Sequence, residues 1–106
     1  MSEHIQRLLK ELKEHLGRLY GARLKGVYLF GSYARGEASE ESDVDVLIVL
    51  DRVESYSQEI DRTGEIISGL SLRFNITISR VFASEERWLT DQTNFFLNVR
   101  EEAVPT

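Results

Sequence analysis

Gly31-Ser32-Tyr33-Ala34-Arg35-Gly36, followed by Ser42-Asp43-Val44-Asp45-Val46-Leu47-Ile48-Val49-Leu50, is the stretch whose reading decides the fold. Its first half reads as a small-residue turn between an apolar strand and a short helix. Its second half reads as a strand that opens with two acids at i and i+2. Side chains alternate faces along a strand, so Asp43 and Asp45 are expected on one side. Adjacent carboxylates repel and raise each other's pKa unless a positive charge stands between them. A divalent metal is the natural counter-charge, and oxygen ligands suit Mg²⁺. Gly31 and Ser32 would bring backbone N–H groups beside the pair, which suits a phosphate. A strand-Gly-Ser-helix junction alone is more often structural than functional. The Asp pair that follows Ser32 after ten residues reverses that weighting.

Upstream, Leu24 to Phe30 is apolar and aromatic and reads as the strand that Gly31 ends. Ser32 is the expected N-cap of the short helix and Gly36 its C-terminal cap. Arg35 has two readings, pairing with a nearby carboxylate or reaching toward a triphosphate. Tyr33 reads as a packing or rim residue, and Glu37 to Ser42 as an exposed acidic loop. Before the strand, Ile5, Leu8, Leu9, Leu12, Leu16 and Leu19 fall at helical spacing. They predict an amphipathic helix of about five turns that ends between Gly17 and Gly21 and packs on the sheet. His4 and His15 have no second ligand at a useful spacing and read as solvated helix residues.

Downstream, Val53 to about Leu70 reads as a crossover helix, weakened by Gly64 and Gly69. Phe74 to Phe82 alternates, with Phe74, Ile76 and Ile78 on one face and Asn75, Thr77 and Ser79 on the other, and predicts a third strand. Ser84-Glu85-Glu86 looks like an N-cap followed by first-turn acids, with Trp88 and Leu89 as anchors of a short helix. A last helix over about 93–102 is expected to bury Phe95, Phe96 and Val99, and the tail to Thr106 to fray. Three strands make a small sheet, which leaves room for a fourth strand within 80–84 or for a dimer contact. Helices alternating with strands predict an α/β domain.

The bulk properties bound the reading. A chain of 106 residues fits one small domain, 1–106. A 42% hydrophobic and 29% charged composition is ordinary for a globular protein in water. No apolar run reaches the roughly 20 residues of a membrane span, and the N-terminus is a charged helical pattern rather than a signal peptide. The absence of cysteine excludes disulfides and thiolate metal sites. A cytoplasmic location fits. The net charge of −5 argues against direct, non-specific DNA binding, which needs Lys and Arg. It suits a basic protein partner, or a substrate whose phosphates arrive with Mg²⁺.

The pattern Gly31-Ser32, ten residues, then Asp43-x-Asp45 resembles the nucleotidyltransferase superfamily related to DNA polymerase beta, and within it the minimal nucleotidyltransferases. The likeness runs from Leu24 to about Val99 and is specific between Gly31 and Leu50. It implies a small mixed, twisted sheet with helices on one side and the site at the strand ends. It implies transfer of a nucleoside monophosphate, AMP foremost, from an NTP to an acceptor. Gly31, Ser32 and Arg35 would bind the nucleotide. Asp43 and Asp45 would hold two Mg²⁺ ions, for which Mn²⁺ could substitute. The family's third acid comes from a later strand, and here no Asp or Glu lies within 72–82. Asn75 and Thr77 are the stand-ins on the polar face, Asn75 as a weak metal ligand, with Glu85 as an acid from elsewhere. Two functions follow. One is an antitoxin that adenylylates its HEPN-family toxin. The other is a catalytically weak or inactive nucleotide-binding antitoxin that neutralises its partner by contact. An antibiotic-modifying transferase fits less well, because the chain lacks room for a second substrate-binding domain.

Overall fold

The computed structural model describes residues 1–106. The chain opens with helix α1, Glu3–Tyr20, capped by the Ser2 hydroxyl, which accepts from the Ile5 N–H. Gly21, at φ 56°, ends it and leads into a 3-10 turn, Gly21–Arg23. Strand β1, Leu24–Phe30, follows, then the one-turn helix α2, Ser32–Arg35, and strand β2, Val44–Leu50. Helix α3, Tyr56–Phe74, crosses over to strand β3, Ile78–Ser84. Two short helices, α4 (Glu85–Thr90) and α5 (Asn94–Glu102), precede a two-residue strand β4, Val104–Pro105.

The sheet order is β3-β2-β1-β4. Strands β1 and β2 are antiparallel, β1 and β4 are antiparallel, and β2 and β3 are parallel, so the sheet is mixed as expected. The parallel pair is joined through α3, the connection such a pair requires. The short fourth strand comes from Val104–Pro105 rather than from 80–84, which belongs to β3. The tail is therefore paired, not frayed: Tyr28 lies opposite Pro105, and the Thr106 N–H donates to the Val27 carbonyl.

The alternation along β2 splits the core in two. Val44, Val46, Ile48 and Leu50 face α1 and α3, where Leu8, Leu12, Leu16, Leu70 and Phe74 close over them. Leu47 and Val49 face the other way, toward Ala83, Phe96 and Val99. The two long helices thus share one face as expected, but α4 and α5 cover part of the other, so helices stand on both sides of the sheet rather than on one. Three expected core residues are exposed instead: Leu19, Leu89 and Phe95. Tyr20 replaces Leu19 in the core, and Phe96 is buried beside Phe95. No helix is long and apolar enough to cross a membrane.

Candidate active site

Strand β1 runs out at Phe30, opposite Asp45. Gly31 then turns the chain at φ 77°. Only glycine takes that conformation at little cost. A Cβ there would collide with the Asp45 carboxylate and lie 3.1 Å from its Cγ. Gly31 itself is the N-cap of α2, with Ser32 as the first helical residue. The Ser32 hydroxyl therefore makes no capping bond, contrary to the sequence expectation. The first helical bond runs from the Arg35 N–H to the Gly31 carbonyl. The amides of Ser32, Tyr33 and Ala34 have no partner within so short a helix. Gly36, at φ 73°, closes it as expected, its N–H donating to Ser32 and Tyr33.

Gly31, Ser32, Arg35 and Asp45 line one hollow of about 400 Å³, together with Asn98, Val99 and Glu102 of α5. Asp45 is half-buried, and burial is the largest cause that pushes its carboxyl above the ordinary range. The neighbouring Asp43 charge pushes it further, Arg35 pulls it back, and Glu102 adds a smaller push. That imbalance is what a bound cation would relieve. Asp43 lies just before β2, where the Val44 N–H donates to the Thr77 carbonyl. It opens on a second hollow, lined by Glu40, Glu41, Ser42, Ser71, Asn75 and Thr77.

Asn75 does not sit on a strand. It is the C-cap of α3, in the left-handed conformation at φ 52°, with its N–H on the Ser71 carbonyl. Strand β3 begins four residues later than the alternation from Phe74 suggested. The residue it brings beside Asp45 is Ser79. Asp45, Leu47 and Val49 pair in register with Ser79, Val81 and Ala83, so these six share the α5 face of the sheet. The strand position suited to a third carboxylate thus carries a hydroxyl. Glu85 is displaced as well. It follows Ser84, which pairs with Leu50, five residues along from Asp45 and about 17 Å away at strand spacing. The carboxylate that does line the Asp45 hollow is Glu102, which the sequence reading missed because nothing local ties it to residues 31–45.

Arg35 takes up the paired arrangement. Its Nε donates to Glu37 Oε1 at 2.8 Å and its Nη1 to Glu102 Oε2 at 2.8 Å. The donor set fits Mg²⁺: two hard carboxylates, one of them half-buried and under-compensated. No third Asp, Glu, His or Cys joins them in a cluster able to hold a metal. The remaining ligands of an octahedral ion would be water and phosphate oxygens, the usual state of Mg²⁺ at nucleotide sites.

Comparison with known proteins agrees with this geometry. The family model for the nucleotidyltransferase domain matches residues 5–98. A Methanocaldococcus jannaschii protein, provisionally named protein adenylyltransferase MJ0604, is 36% identical over 98 residues, 92% of each chain. Protein adenylyltransferase MntA of Thermococcus cleftensis is 37% identical over 76 residues, 72% of this chain and 75% of its own. Among solved structures, a chain in a toxin–antitoxin complex with AMP-PNP superposes with a TM-score of 0.60 at 20% identity, covering 89% of this chain and 68% of that one. That last likeness is one of fold. A sheet end that sets the Gly31-Ser32 turn against Asp45, together with a family match over nearly the whole chain, shows that this chain belongs to the nucleotidyltransferase domain family, as a minimal member of it.

Proposed function

We propose that this chain moves AMP from Mg·ATP to a hydroxyl of a protein partner, as the antitoxin that modifies the HEPN-family toxin of a toxin–antitoxin pair. The observation that carries the reading is the one hollow that holds Gly31, Ser32, Arg35 and Asp45, in a chain whose nearly full-length relative is named a protein adenylyltransferase. In this reading the amides after Gly31 and the Ser32 hydroxyl receive phosphate oxygens. Asp43 and Asp45 hold the metal. Bound Mg²⁺ supplies charge neutralisation and orientation of the phosphates. The acceptor oxygen attacks the α-phosphorus, the bond to pyrophosphate breaks, and the hydroxyl proton leaves to solvent. Positioning and charge account for most of the catalysis in phosphoryl chemistry, so two carboxylates and a cradle are a workable minimum. The structural neighbour comes from a toxin–antitoxin complex with AMP-PNP, which supports the choice of ATP and of a toxin as partner.

The second reading is a nucleotide-binding antitoxin that acts by contact. It is favoured by one observation, the serine at position 79 beside Asp45. Incubating the chain with α-labelled ATP, Mg²⁺ or Mn²⁺ and a lysate of the source cell separates the two. Label on a protein band that is lost with Asp45→Asn supports the transferase. Nucleotide binding with no label supports the contact-only antitoxin.

A further inference from the structure

Arg35 is the one cation that lines the Asp45 hollow, and both of its bonds go to carboxylates. The two carboxylates differ in kind. Glu37 is two residues away, on the exposed loop after α2, with 65% of its side chain open to water. Glu102 is sixty-seven residues away, 21% exposed, and lines the hollow itself. Its backbone is held in place. Phe96 and Val99 of the same helix are buried, and Arg100 donates to the Trp88 and Asp91 carbonyls. The Glu102 side chain, at the last residue of α5, carries the pair with Arg35. Its carboxylate sits with Asp45 in a hollow that holds a single guanidinium, and Glu102 adds to the push on the Asp45 carboxyl. A carboxylate bonded to a guanidinium makes the same charge-assisted contact that a phosphate oxygen would make there.

We propose that Glu102 is a built-in competitor for the phosphate position: its carboxylate holds the Arg35 guanidinium until the phosphates of a nucleotide displace it. This rests on the reading that the hollow binds Mg·NTP. The pair is partly exposed, so it sets a modest threshold rather than a lock. A polyphosphate carrying Mg²⁺ passes that threshold by offering several oxygens against one carboxylate. Glu102 is the last residue of α5, two residues before the β4 strand that edges the sheet begins.

The test is a titration of the full chain with Mg²⁺ and a fluorescent ATP derivative, using wild type, Glu102→Gln, Arg35→Ala and the double variant. Glu102→Gln should tighten binding by about two- to fivefold, the range an exposed ion pair can supply. In the Arg35→Ala background the same substitution should change affinity by less than about twofold, because there is no guanidinium left to compete for. Glu102→Asp, which shortens the reach to Arg35 while keeping the charge, should tighten binding as well and serves if Glu102→Gln fails to fold. Unchanged or weaker binding in both variants overturns the proposal and leaves the nucleotide reading intact. Equal tightening without Arg35 also overturns it, since general repulsion would then be the cause. A wild type that binds no Mg·ATP overturns the reading on which the proposal rests.

Discussion

Gly31 is where conformation and chemistry depend on the same atom being absent. Its φ of 77° and the Asp45 carboxylate packed against its Cα both exclude a methyl group. Gly31→Ala is expected to lower stability by about 1–3 kcal/mol, the usual cost of a strained backbone residue. It should also abolish Mg·ATP binding, because the carboxylate must swing out of place. Urea denaturation and a nucleotide titration read the two effects, and a variant that keeps both would remove Gly31 from the site. Asp45 makes a second case. Burial and Asp43 raise its folded pKa above the ordinary 3.8. Between 3.8 and that raised value the folded chain binds more protons than the unfolded one. Stability therefore falls as pH climbs through the window, and the loss persists above it. Asp45→Asn removes that loss, so at neutral pH in chelator the variant should melt at a higher temperature than wild type. Added Mg²⁺ should reverse the order. Wild type gains about 2.7 kcal/mol at a hundredfold excess over Kd, and the variant gains nothing. Melting curves against pH, with and without Mg²⁺, check both signs.

At the scale of elements, the α3–β3 junction shows how one boundary moves a functional assignment. Phe74 fits two periods at once. It continues the helical series Ile67, Leu70, Phe74, and it opens the alternation Phe74, Ile76, Ile78. Burial against α1 decides for the helix, and Asn75 takes the left-handed cap that glycine or asparagine fills best. The face of the strand shared with Asp45 then begins at Ser79, so the position of interest for a third acid changes with it. Asn75→Ala should cost about 1 kcal/mol of stability and Asn75→Gly close to none, with AMP transfer unchanged in both. Ser79→Asp should raise Mg²⁺-dependent transfer, whereas Asn75→Asp should not. A gain at residue 75 and none at 79 would reverse the register drawn from β3. Elsewhere local signals sufficed. Leu24–Phe30, the Gly31–Gly36 turn and the Ser84 cap lie where short-range pattern puts them. What stayed hidden was non-local. Strand β4 is two residues long and contains Pro105, which a sheet edge tolerates. The Arg35–Glu102 pair joins residues that no period connects.

Across the whole molecule, the polar cluster that anchors the fold lies at the opposite end of β2 from the site. Glu59 of α3 is 3% exposed, yet it is fully partnered. The Tyr20 hydroxyl donates to it at 2.6 Å, and Arg62 Nη1 donates to both of its oxygens at 3.0 Å. Arg23 lies 3.7 Å away and also holds Asp51, just past the end of β2. A buried carboxylate persists only with such partners. Burial, then the bond to Glu59, pushes the Tyr20 hydroxyl well above its ordinary pKa, so it stays a donor at any physiological pH. The cluster ties the end of α1 to α3 and to the Arg23 turn, and none of its members lines the Asp45 hollow. Tyr20→Phe leaves one Glu59 oxygen with a single donor side chain and is expected to cost about 1–3 kcal/mol. In a domain of this size that is a drop of about 4–8 °C in Tm for each kcal/mol. Affinity for Mg·ATP, measured well below the new Tm, should stay within about twofold of wild type, because distant sites without shared partners act independently. A large loss of affinity alongside a small loss of stability would mean that α1 and α3 position the Gly31–Asp45 end through the sheet, and that anchor and site are one cooperative unit.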